Sequence, residues 1–296
     1  MYLALIASFL SSARAQVVND GATNTLSNIT NTITGDVTVG TNGSFTLLIL
    51  SDNSLLTNSA QGVIGRNATA KSNEVRLVSA SARWRMGGSL FVGLSGAANR
   101  LTVSNGGVVT ANVGDVGVTP TSSSNVVVVT GSGSLWSNAL ELVFGFDSAG
   151  NQLVISNGGV VRNGVGYLGN TASSSNNLAV VTDPDSVWTN GSVLNIGFAG
   201  AVGNHLRISN GGRVVNSDGF VGFSAASRSN TVFVTGSGST WNNLTNLTVG
   251  NNGSGNLLVV SNGATVFTGG DSVVGANSAA KKIGRASCRE RVCLVV

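Results

Sequence analysis

The chain has 296 residues, of which 9% are charged, 42% are hydrophobic and 41 are glycine. Typical soluble domains carry about 25% charged residues, yet the hydrophobic share excludes strong disorder, and glycine away from every third position excludes collagen. The formal charge of +4 resides in the last sixteen residues, where Lys281, Lys282, Arg285, Arg289 and Arg291 stand against Glu290, and the remainder balances 11 basic with 11 acidic residues. That balance argues against nucleic acid or anionic lipid as a partner.

Residues 1–15 carry the apolar run Leu3 to Leu10, too short to span a bilayer, and then Ala13-Arg14-Ala15 before Gln16. This resembles a secretory signal peptide without the usual positive start, and it predicts export of the chain from Gln16 onward. Residues 16–280 contain no cysteine. Small exported domains often rely on disulfides, so here a repetitive core must supply the stability.

From there a repeat runs nearly end to end. Trp84, Trp136, Trp188 and Trp241 are 52, 52 and 53 residues apart. SNGG begins at Ser104, Ser156 and Ser209, and SNGA at Ser261, placing Asn105, Asn157, Asn210 and Asn262 at one phase. Two markers sharing a period define a repeat architecture. A finer period lies inside it: an apolar residue precedes Gly40, Gly65, Gly93, Gly117, Gly145, Gly169, Gly197, Gly222, Gly250 and Gly275, with gaps of 24 to 28 residues. Three positions before each glycine the residue alternates between an aliphatic (Val37, Leu90, Leu142, Leu194, Leu247) and a small one (Gly62, Gly114, Gly166, Gly219, Ser272). The larger unit is therefore a pair of similar turns.

Each turn carries short runs of period-two alternation, the signature of strand. Leu101 and Val103, Leu153 and Ile155, Leu206 and Ile208, and Leu258 and Val260 are the expected inward pairs, and no window shows sustained helical periodicity. Asn-Gly often marks a hairpin, but a corner recurring at fixed phase in turns of about 26 residues fits a coil whose strands stack on their copies. The expected fold is all-β: a single-stranded parallel β-helix of about ten coils over residues 16–280, right-handed.

The blocks GSGSLWSNALELVFGFDSAGNQLVISNGGVV and GSGSTWNNLTNLTVGNNGSGNLLVVSNGATV resemble repeats of autotransporter passengers and PEP-CTERM-associated bacterial surface proteins. The resemblance covers residues 80 to 276 well and 36 to 79 weakly. It implies a secreted or outer-surface β-helix and no single activity. It also implies contact with export machinery and the outer membrane through a C-terminal part, a translocating barrel or a sorting signal, that this sequence lacks.

Candidate chemistry is sparse. Gly164-Val165-Gly166-Tyr167-Leu168-Gly169 matches G-x-G-x-x-G, but the same phase elsewhere reads GDVG, GFVG and SVVG, so it is a repeat corner without the helix a dinucleotide needs. His205, the sole histidine, occupies an outward strand position. Asp183-Pro184-Asp185 places two carboxylates at a turn where the other long half-units read GSGS or, earlier, SASA, and such pairs serve glycoside hydrolysis or calcium binding, although both residue types are also ordinary in turns. Gly269-Gly270-Asp271 is only a fragment of a calcium-binding repeat. The four tryptophans suit either packing or a sugar-stacking ladder, and packing is preferred. The phased asparagines suit hydrogen bonding along the rod or to the Gly-Gly turns. No catalytic, metal or cofactor site is assigned.

From Lys282 the chain reads KIGRASCRERV, containing Cys288. One back-translation resembles a sequencing-library adapter, so residues 281–296, with Cys288 and Cys293, are read as non-native and excluded from the fold. The expected function is a non-enzymatic exported passenger segment, a stalk or adhesin-like rod meeting an extracellular or host-surface glycan or protein. The alternatives are a carbohydrate-binding module using the tryptophan phase and a β-helical polysaccharide-active enzyme, whose clustered acids and bases the scattered charges do not supply.

Overall fold

In the computed structural model, which describes residues 16–277 and the pair Leu294–Val295, all regular structure is strand and none of the described residues is helical. The expected leader (residues 1–15) lies outside the described residues, as does the adapter-like tail apart from Leu294–Val295.

Each coil lays down three strands, separated by corners where the alternation stops. One coil runs through Gln152–Ser156, Val160–Asn163 and Val165–Leu168. The next runs through Leu178–Thr182, Val187–Asn190 and Val193–Ile196. The two pair in parallel and in register: Leu153 with Ala179 and Ile155 with Val181 on the first face, Val161 with Trp188 on the second, Leu168 with Ile196 on the third. About ten such coils, from Thr23 to Val274, make a parallel β-solenoid whose first face is a ten-stranded sheet. At about 4.8 Å per strand the rod is roughly 45–50 Å long.

In two coils the second and third faces merge, in the strands Val108–Val116 and Leu135–Phe144. Elsewhere glycines such as Gly164 and Gly191 stand between the two faces, whereas here Asn112 and the Ala139-Leu140 pair keep the chain extended, with a register shift between Ala111 and Val113.

The interior is a set of same-phase columns. Leu101, Val103, Leu153, Ile155, Leu206 and Ile208 are fully buried, as the alternation predicts. Each buried aliphatic contributes roughly 1.5–3 kcal/mol, much of it offset by chain ordering. No coil could bury its own apolar face, so neighbouring coils hold one another.

Where the third face turns into the next first face, a second column forms from amides. Asn73, Asn99, Asn125, Asn151, Asn177, Asn204, Asn230 and Asn256 are all wholly buried. From Asn99 onward each accepts, at its Oδ1, the backbone N–H and the Nδ2–H of the asparagine one coil earlier: Asn125 donates both to Asn151 at 3.0 Å, and Asn151 donates both to Asn177 at 2.9 Å. The phased glycines make room for this ladder. Gly93 has φ of +76°, and a Cβ there would overlap the Asn125 carboxamide one coil on, so both backbone geometry and space call for glycine.

The residue after each phased glycine can fold back over the third face. Arg66 donates to Thr38 Oγ1 at 2.9 Å, and Phe198 and Phe223 pack against Tyr167 and Phe220. Consequently Thr38, Val63, Val143 and Asn195, all outward in the alternation, are nonetheless buried.

Candidate functional site

The tryptophans are interior groups. Trp84, Trp136, Trp188 and Trp241 have no solvent exposure, so the sugar-stacking alternative fails for them: a ligand cannot reach an indole face inside the coil. On the second face they alternate with Leu56, Val109, Val161, Val214 and Val266 in a single column. The alternating small residues of the third face explain how they fit. A Cβ at Gly62 or Gly114 would come 2.7 Å from Cζ2 of Trp84 or Trp136, and one at Gly219 would come 2.9 Å from Cζ2 of Trp241. A large ring in one coil is thus accommodated by a missing side chain in the coil before it.

The indole N–H groups mostly find amides. Trp84 donates to Asn58 (3.0 Å), Trp188 to Asn163 (2.8 Å) and Trp241 to Asn216 (2.7 Å), each one coil earlier. Asn163 and Asn216 in turn donate to Asn190 and Asn243 at 2.7 Å. At the coil before Trp136 the equivalent residue is Ala111, and the Trp136 N–H and both polar atoms of the Asn138 side chain are buried without a protein partner.

Asp115, on the third face beneath this point, is also buried, its Oδ1 unpartnered. Burial first, and the negative charge of Glu141 second, push its pKa up to about 7. Tyr167, one coil beyond Glu141, is raised by the same two causes. Sequence reasoning passed over Asp115 because strict alternation places it on the wet side of the strand.

The turn asparagines Asn105, Asn157, Asn210 and Asn262 are exposed and left-handed, with φ between 51° and 54°. They bond along the rod to the coil before: Asn157 Nδ2 to Thr130 Oγ1 (3.1 Å), Asn210 to Thr182 (3.2 Å), Asn262 to Thr235 (2.9 Å), and Asn105 to the Val78 carbonyl (3.2 Å). They stand two coils apart and do not touch one another. The continuous amide ladder is the other series, whose sequence signal is an Asn two residues before the first inward residue of the first face, a Leu or Val in every coil but that of Ala179.

Gly164 to Gly169 surround the strand Val165–Leu168, and the phased Gly169 turns the chain at φ +83°. His205 is half-buried on the outer side of the first face, in register with Leu178 and Thr231. Among the described residues no three His, Cys, Asp or Glu side chains gather into a metal-sized group.

Asp183 and Asp185 lie at the corner between first and second faces. In sister coils this corner is Gly131-Ser132-Gly133-Ser134 and Gly236-Ser237-Gly238-Ser239, with φ of +90° and +78°, and +91° and +79°, at the glycines. Asp183 and Asp185 adopt the same left-handed geometry at +75° and +63°, a strain of about 1–2 kcal/mol each for an L-residue, least for Asp and Asn. The buried serine that closes the corner is retained: Ser134, Ser186 and Ser239 each accept the backbone N–H of Gly106, Gly158 and Gly211 at 3.0 Å. Asp185 forms one wall of a shallow groove of about 450 Å³ crossing three coils, lined also by Val187, Arg213, Thr240 and Asn242.

Fold and site together define the class of the molecule as a β-solenoid with an outer groove. The chain matches no family model, no curated protein and no solved structure.

Proposed function

We propose that this chain is a non-enzymatic segment of an exported bacterial surface protein: a rigid stalk or adhesin-like rod of the kind its repeats resemble in autotransporter passengers and PEP-CTERM-associated proteins. The observation that carries this reading is the uniformity of the stack. From Thr23 to Val274 the same three faces recur, and the buried polar groups are largely spent on linking coil to coil, as in the asparagine ladder. Such a body transmits force and sets distance, the properties a spacer needs. Its partners are an extracellular glycan or protein at the far end and the cell's export machinery at the near one.

The test is expression of the full chain in a Gram-negative host. Cleavage after Ala15 and recovery outside the cytoplasm are expected, with no turnover of polysaccharides by the purified protein. Cytoplasmic retention with Met1 intact would sink the export reading. Turnover that Asp185→Asn abolishes would replace the rod with an enzyme.

A further inference from the structure

We propose that the groove at Asp185, Val187, Arg213, Thr240 and Asn242 binds a short neutral oligosaccharide. The inference deepens the adhesin-like reading and rests on it, by naming a place and a ligand class.

A repeat protein contains its own controls. What the coil requires is seen in its copies, and at this corner they differ: the one before Trp84 is Ser79-Ala80-Ser81-Ala82, without a left-handed residue. The corner before Trp136 and the corner before Trp241 are built with Gly-Ser-Gly-Ser. Folding therefore does not ask for Asp185, which holds the left-handed geometry of Gly133 and Gly238 less comfortably, whereas the Asp183 carboxylate accepts the Asn157 backbone N–H at 3.3 Å and serves the corner itself. The neighbouring outward column of the second face tolerates both aliphatic and polar residues, with Arg83 among Leu55 and Val108 and Arg213 and Thr240 above Leu135, Val160 and Val187; beside Asp185 it presents the two polar ones, in register one above the other. Asn242, two residues beyond Thr240, adds an amide. The one corner that carries Asp185 thus meets a basic, a hydroxyl and an amide side chain in one groove.

The four polar side chains share a further property. Asp185, Arg213, Thr240 and Asn242 make no side-chain hydrogen bond or ion pair within the described residues, in contrast to the interior amides. Their capacity is free for a ligand.

The inventory selects the ligand's chemistry. Asp185 only accepts, Arg213 only donates, and Thr240 and Asn242 do both. Hydroxyl groups, which donate and accept, match that set. A cation is opposed by Arg213 and a phosphate by Asp185, so the summed charge of the lining favours a neutral molecule. Three coils span about 10 Å between first and last strand, the length of two or three sugar rings. Val187 supplies an apolar patch for a ring face. The groove is open and lacks an aromatic platform, so the affinity expected is millimolar.

Saturation-transfer NMR with cellotriose, maltotriose, mannotriose and chitotriose at millimolar concentration tests the proposal on the full chain. Two variants keep it falsifiable, because each installs what a sister coil already has: Asp183→Gly with Asp185→Gly restores the Gly-Ser-Gly-like turn, and Arg213→Val restores the aliphatic of Val160. Transfer to at least one trisaccharide is expected in the parent protein, weakened at least tenfold in both variants with an unchanged sheet spectrum. No transfer from any of the four sugars, or equal transfer in all three proteins, overturns the proposal. Small-angle scattering on the same samples separates the two readings. A rod of the expected length that ignores sugars removes the groove and leaves the spacer, whereas a molecule that is not a rod removes both.

Discussion

Ala111→Asn is expected to stabilise the protein, although it places a polar side chain in a buried position. In three of the four tryptophan coils an asparagine one coil earlier accepts the indole N–H, at 2.7 to 3.0 Å. Two of these asparagines pass a hydrogen bond of 2.7 Å to the next asparagine in the column. Ala111 stands in register with Asn138 where that residue is missing, and the Trp136 N–H and the Asn138 amide are left without protein partners. Each buried polar group without a partner costs about 1–3 kcal/mol. An asparagine at 111 supplies an acceptor for Trp136 and a donor for Asn138, and ordering its side chain takes back about 1 kcal/mol. The net expected gain is about 1–3 kcal/mol, read as a higher urea midpoint with unchanged slope. Amide and indole exchange by NMR locates the effect: the Trp136 indole proton should become as protected as those of Trp84, Trp188 and Trp241. Lower stability, or a Trp136 proton that exchanges as before, would refute the idea that all four tryptophan coils share one interior slot.

Asp115→Asn, which copies the Asn195 found in the same column, should stabilise the protein at neutral pH. The folded pKa of Asp115 is raised to about 7 from an ordinary value of 3.8, so the native state holds its proton more tightly than the unfolded chain. Stability from this residue is therefore full below pH about 4 and falls as pH rises to about 7; the shift corresponds to a few kcal/mol at about 1.4 kcal/mol per unit. Chemical denaturation at pH 4 and pH 8 should show that decline in the parent and a flatter profile in the variant. Asn151→Ala removes an acceptor from the Asn125 backbone N–H and a donor to Asn177. A loss of about 2–4 kcal/mol is expected, with hydrogen exchange faster in the flanking coils than at the rod ends. Gly93→Ala meets both a left-handed backbone and the Asn125 side chain; the same denaturation assay should show at least about 2 kcal/mol lost, and an unchanged midpoint would contradict the close approach.

The coil and its phase were legible because they depend on a hydrophobic period, which one sequence displays directly. Leu153 and Ile155 point inward because alternation on a pleated strand leaves no other choice. The asparagine ladder escaped because Asn beside Gly or Ser reads as a turn residue, and the place of Asn151 two residues before Leu153 marks its phase without revealing that it is stacked and buried while Asn157 is not. Their difference is burial, which only the neighbouring coils decide. The alternation of Leu90 with Gly114 was visible in the sequence, whereas its cause, the indole of Trp136 reaching down one coil, is a matter of volume. Asp115 was hidden by the covered outer side of the third face. Asp183 and Asp185 were visible as an oddity of one coil, and the groove they border became apparent only when three coils were stacked.

The volume match between a tryptophan coil and the glycine coil before it has a consequence for how such rods change length. Removing a single storey would set two bulky layers, or two hollow ones, in direct succession, giving collision in the first case and a void in the second. Excising or duplicating about 52 residues, from one SNGG to the next, leaves every junction as it was. Genes for molecules of this design should therefore grow and shrink by even numbers of turns, and a ruler assembled from them would carry marks only at every second rung.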